Sequence, residues 1–156
     1  MRSEHGMVAR WRARVDARRV LLVLLAGALP WAVVAWDTGW YPVFSAGFAS
    51  LDPLRFTLLS VYFSRAVVSP GFAALGTGAF LYLLSLASAL AGDPDERLTA
   101  GLLVLAGLCV ASFAWRVSGQ RGVVVAPLGT LWLWAAAAVG YRDVAARASH
   151  LFGTAR

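Results

Sequence analysis

The sequence predicts an all-α polytopic membrane protein, with four transmembrane helices in a compact bundle and a further helix at the outer interface. Three observations predict it. Of the 156 residues, 60% are hydrophobic and only 14% are charged, where a water-soluble domain carries about a quarter charged residues. Mean hydropathy is +0.68. The apolar residues fall in long uncharged blocks with arginines at their tips, a distribution that suits lipid better than an aqueous core. This argues against a disordered chain and against an ordinary soluble enzyme.

The spans follow in order. Residues 20–36 form an uncharged run of 17 between Arg18-Arg19 and Asp37, which at about 1.5 Å per residue covers most of a hydrocarbon core roughly 30 Å thick. Pro30 is expected to kink its outer third, because proline removes a backbone donor and crowds the preceding turn. Residues 66–92 are uncharged, and Ser69-Pro70 supplies a start signal that places the second span over 70–91. Asp93-Pro94-Asp95-Glu96 combines an N-cap acid, a first-turn proline and a glutamate at the third helical position, opening a third span over 96–115. The fourth span, 123–141, follows the turn-like 118–122 and holds Pro127 near its start.

The segment 37–69 is the longest stretch between spans and is largely apolar. Asp52-Pro53 has the form of a helix cap, and Thr57, Ser60 and Ser64 make one narrow polar stripe at helical spacing. An interfacial helix on the outer leaflet is expected there, after a re-entrant turn around Pro42 and Gly47. A fifth span fits poorly, since Arg55 and Arg65 bracket only a short uncharged stretch.

Residues 20–141 thus form one membrane domain between two tails, 1–19 and 142–156. All the basic residues are Arg, and the net charge is +6. With both termini cytoplasmic, ten arginines fall inside and four outside, as the positive-inside rule requires. Trp31, Trp36, Trp40, Tyr41 and Trp115 gather towards the outer face, with Trp11 and Tyr141 towards the inner one. Val8, Trp11 and Val15 share a helical face, as do Val144, Ala148, Leu151 and Phe152, so both tails are expected to lie on an anionic leaflet. Arg18-Arg19 before an apolar run resembles a twin-arginine export signal, with Ala26-Gly27-Ala28 as a small-residue cleavage site. Three further spans and no soluble cargo favour an uncleaved anchor.

The same residues leave little for chemistry. No span holds Asp, Glu, His or Arg at mid-membrane depth, the groups that mark proton relays and ion paths. Cys109 is the single cysteine and His5 and His150 lie in the tails, so no metal site, cofactor site or disulfide is expected. Ser85, Ser88 and Ser112 have no intramembrane base beside them, and Gly76-Thr77-Gly78 lacks the context of a phosphate loop. No catalytic residue is assigned. No basic stripe with interleaved aromatics suggests nucleic acid. Small residues four apart, Ala74/Gly78, Ser85/Ala89, Gly107/Ala111 and Ala136/Gly140, are suited to close helix packing or to a homo-oligomer.

Leu29-Pro30-Trp31 ending the first span, Arg97-Leu98-Thr99-Ala100-Gly101-Leu102-Leu103-Val104-Leu105-Ala106-Gly107-Leu108 opening the third and Ala126-Pro127-Leu128-Gly129-Thr130 opening the fourth give the chain a resemblance to a family. It resembles a family of small, uncharacterised haloarchaeal integral membrane proteins named for lying near the gene of an HtrA-type protease. The resemblance covers roughly 20–141. It implies an archaeal cell membrane and no particular reaction.

Function is therefore expected to be that of a non-enzymatic scaffold or accessory subunit, its partners being the lipid bilayer and a membrane protein or a second copy. An alternative is a small transporter or channel for a neutral solute, lined by Thr77, Ser85, Ser88, Ser112 and Thr130. A third is a lipid-modifying enzyme using Asp37, Asp52, Arg55 and Arg65 at the outer face.

Overall fold

A computed structural model describes residues 17–37, 39–51, 53–65, 70–91 and 95–141. The tails 1–16 and 142–156, together with Ser69 and Asp93-Pro94, lie outside the described residues, as does the reading of the tails as amphipathic segments.

The longest elements are two apolar helices, α3 (Pro70–Leu90) and α4 (Glu96–Ser118). Both are long and apolar enough to cross a membrane. They form an antiparallel hairpin whose buried positions explain its length. On α3 these are Gly71, Leu75, Gly78, Tyr82, Ser85 and Ala89, and on α4 Thr99, Leu103, Ala106, Val110, Phe113 and Val117. Each set alternates steps of four and three, which keeps one face of each helix towards its partner from end to end. Where the seam closes, Ser88 Oγ donates to Thr99 Oγ1 at 2.6 Å, and Thr99 Oγ1 donates to the Asp95 carbonyl at 3.0 Å. The α4 start is capped by Asp95, whose carboxylate accepts from the amides of Arg97 at 2.9 Å and Leu98 at 3.2 Å. The cap therefore lies two residues later than the expected Asp93, and Glu96 opens the helix.

The other two expected spans are not helical throughout, and the all-α bundle of four full-length helices is overturned. The first becomes α1 (Ala17–Ala28) followed by strand β1 (Ala32–Trp36). The fourth becomes strand β5 (Val123–Ala126) followed by α5 (Leu128–Gly140). With 12 and 13 residues, these helices are about 18 and 20 Å long, against about 31 and 34 Å for α3 and α4. Pro30 does not kink a continuing helix; the helix stops before it. Beyond it, as ahead of Pro127, stands a short run of valine and alanine. A run of four or five apolar residues has no helical period of its own, and β-branched side chains fit a pleated surface well. The two strands pair antiparallel, from Val33↔Ala126 to Trp36↔Val123.

The segment 37–69 is corrected as well. It supplies β2 (Gly39–Val43), β3 (Gly47–Leu51), β4 (Leu54–Leu58) and a seven-residue helix α2 (Leu59–Arg65) in place of a long interfacial helix. Leu51↔Leu54 is the last pair of the β3–β4 hairpin, so two paired strands stand where a capped helix was expected; Asp52 itself lies outside the described residues. Pro42 lies within β2, opposite Val33, and Gly47 opens β3. The result is a five-stranded antiparallel sheet in the order β4-β3-β2-β1-β5. β1 and β2 pair along their whole length, whereas β2 and β3 share only Val43↔Phe48.

Helix α1 packs on α3 and α5, α5 packs on α4, and β5 lies along α4. Four helices still surround one core, but two of them are half-length and are completed by strands.

Candidate functional site

The two half-length helices end on a single residue. A helix stopping inside a protein leaves carbonyls with no amide donor, and proline deepens the deficit: the natural partner of the Ala26 carbonyl would be the amide of residue 30, which proline lacks. The indole of Trp31 fills that place, Nε1 donating to the Ala26 carbonyl at 3.0 Å. The next carbonyl, that of Gly27, accepts from Ser45 Oγ at 2.8 Å. Trp31 then donates its own amide to the Val43 carbonyl at 2.7 Å, and its carbonyl accepts from the Gly129 amide, the first turn of α5, at 2.6 Å. Its ring is fully buried and stands edge-on to Tyr82, centroids 5.6 Å apart at 88°. Tyr82 in turn donates its hydroxyl to the Val23 carbonyl at 3.1 Å. One residue thus ties α1 and α3 through its side chain and β2 and α5 through its backbone.

Close approach makes the crossing possible. A Cβ on Gly129 would lie 2.8 Å from the Trp31 Cα, so only glycine lets α5 start there. Opposite it, about halfway along α4, the Thr130 hydroxyl donates to the Gly107 carbonyl at 2.9 Å, and Trp134 Nε1 donates to the Val104 carbonyl at 3.2 Å. Gly107 leaves the slot that the Trp134 indole occupies, since a Cβ there would come within 2.6 Å of Nε1. Trp134 accordingly lies against α4.

The hydroxyls considered as a solute path do not converge. Thr77 bonds the Ala73 carbonyl, Ser85 the Tyr82 carbonyl, Ser88 the Thr99 hydroxyl and Thr130 the Gly107 carbonyl, while Ser112 points outward. Of the acidic and basic group of the outer segment, the two described side chains lie on different strands: Asp37 sits at the β1–β2 turn near Gly122, and Arg55 is on β4, with β3 and β2 between it and β1. Asp52 and the Arg65 side chain lie outside the described residues. Among the described residues no three His, Cys, Asp or Glu side chains come together as metal ligands.

What the fold does assemble is an apolar exterior. Exposed positions on α1 are Leu21, Leu24 and Leu25; on α3 Phe80, Leu83 and Leu84; on α4 Leu98, Leu105 and Leu108; on α5 Leu131, Trp132 and Val139. Only 28% and 39% of the apolar windows of α3 and α4 are buried, so these helices are not the inner members of an aqueous core. Charge is confined to the two ends. Along α4 no Asp, Glu, His, Lys or Arg stands between Arg97 and Arg116, a rise of about 28 Å. At one end Arg19 pairs with Glu96 and covers the Tyr141 ring at 5.3 Å. At the other stand the exposed Trp36, Trp40 and Trp115, the last 85% exposed beside Arg116.

The molecule is thus a small α+β protein, two apolar helices flanked by two helix–strand composites, with an uncharged waist and charged ends. The chain matches the family described as domain of unknown function DUF8050 over residues 2–150 and belongs to it. No curated protein and no solved structure matches it.

Proposed function

We propose that this protein is embedded in a membrane through the α3–α4 hairpin and serves there as a non-enzymatic scaffold or accessory subunit for another membrane component. The observation that carries the reading is the uncharged waist. Soluble monomers rarely expose contiguous apolar patches beyond a few hundred Å², yet here all four helices turn leucine, phenylalanine and tryptophan outward over the length separating Arg97 from Arg116. That length equals a hydrocarbon core. Trp36, Trp40 and Trp115 stand where an aromatic interface belt belongs.

The topology supports a common side for the termini, because α1 begins and α5 ends at the Arg19–Glu96–Tyr141 cluster. The arginine imbalance supports the cytoplasm as that side. The resemblance to haloarchaeal membrane proteins supports an archaeal cell membrane. The polar side chains within the helices are spent on backbone and hydroxyl partners of the same chain, which favours a structural role over a reaction or a solute path.

Alkaline extraction of membranes from expressing cells, followed by high-speed sedimentation without detergent, tests the embedding. The protein is expected in the pellet; recovery in the supernatant refutes it. Crosslinking in native membranes tests the role: a stoichiometric partner or self-adduct is expected, and a monomer free of adducts under efficient crosslinking overturns it.

A further inference from the structure

Besides the waist, a groove of about 600 Å³ lies between the end of α1, the 44–46 turn and the β3–β4 hairpin. It exists because β3 leaves β2 after a single pair, so that the hairpin stands off from the rest of the sheet. Its floor is small, Gly27, Ala28, Ala46 and Ala49, and its aromatic sides are Phe44 and Phe56, ring centroids 6.3 Å apart. Its one hydroxyl, that of Ser45, is already donated to the Gly27 carbonyl. At its edge is a single charge, Arg55, exposed and with no carboxylate within ion-pair distance among the described residues.

An apolar trough of this size, with one guanidinium at its edge, matches a molecule with a hydrocarbon chain and an anionic head. Arginine is the side chain best shaped for phosphate, offering paired N–H donors that lysine lacks. A free phosphate would make no use of the two phenylalanines, and an apolar peptide would make no use of the cation. Resting on the membrane reading above, we infer that this groove holds one anionic phospholipid, a hydrocarbon chain lying against the Phe44–Phe56 pair and the phosphate on Arg55.

The full chain is reconstituted in nanodiscs of phosphatidylcholine containing a minor share of phosphatidylglycerol, released into detergent, and examined by native mass spectrometry. One phosphatidylglycerol per chain is expected to be retained. Arg55→Gln is expected to lower its retention about five-fold, the effect of one basic residue at an anionic surface, leaving phosphatidylcholine retention unchanged. Ala49→Phe, which fills the floor, is expected to lower retention of both lipids. Equal retention of the two lipids by the parent protein, or an Arg55→Gln variant that keeps the preference, overturns the inference. A dimer that dissociates in Arg55→Gln also overturns it, by placing a second copy in the groove. A protein that stays in the alkaline pellet yet shows no lipid preference refutes the groove alone; a protein in the supernatant refutes the membrane reading on which it rests.

Discussion

Replacing Trp31 by phenylalanine separates the two jobs assigned to it. Phenylalanine keeps an aromatic ring against Tyr82 but removes the N–H that reaches the Ala26 carbonyl at 3.0 Å. No other donor stands ready, because the amide four residues on belongs to Pro30 and does not exist. A buried acceptor left unpaired costs about 1–3 kcal/mol, and that is the expected loss for Trp31→Phe. Trp31→Ala adds a cavity at a fully buried site, about 3–5 kcal/mol further, which approaches the whole stability of a small domain. The measurement is equilibrium unfolding in mixed detergent–SDS micelles followed by far-ultraviolet circular dichroism. Because the backbone bonds of residue 31 to Val43 and Gly129 survive either change, the native spectrum of Trp31→Phe should be unaltered. A Trp31→Phe protein within about 0.5 kcal/mol of the parent would refute the argument that the indole caps α1.

Gly107→Leu drives a side chain into the Trp134 indole and is expected to cost about 1–3 kcal/mol of overpacking; unchanged unfolding would show that α5 does not rest in that slot. Asp95→Ala removes the acceptor for the Arg97 and Leu98 amides, with an expected loss near 1 kcal/mol and faster hydrogen exchange at those two amides, which should otherwise be protected. Glu96→Gln breaks the ion pair with Arg19, whose side chains are 20% and 29% exposed. A loss below about 1 kcal/mol is expected, shrinking as salt rises; a larger loss, insensitive to salt, would contradict it.

Much of this fold was legible in the residues. The α3–α4 hairpin could be read because each helix contains an uncharged run of at least 18 residues and one is opened by an acid-rich cap. The seam was partly visible too, since Gly78, Ser85, Ala89 and Gly107 were singled out as small packing residues and all are buried. The strands were not legible. Residues 32–36 and 123–126 are as apolar as the helices they adjoin, and hydropathy cannot tell a helical from an extended apolar run this short. Pro30 and Pro127 were the available signal, and taken together as stops they would have bounded both runs. Trp31 was noticed as an aromatic near an interface, whereas its indole N–H is committed to the interior. The groove was invisible, being built from residues 27, 44, 49 and 55, which belong to separate elements.

By itself the sequence determined where charged and uncharged residues fall along the chain, because composition and spacing act residue by residue and need no partner. It also marked the start of α4, through an acidic cap that works within one turn. Only tertiary structure decided whether an apolar segment would be helix or strand. A strand is stable only when another backbone takes its hydrogen bonds, and Val33 to Trp36 met theirs in Val123 to Ala126, about ninety residues away.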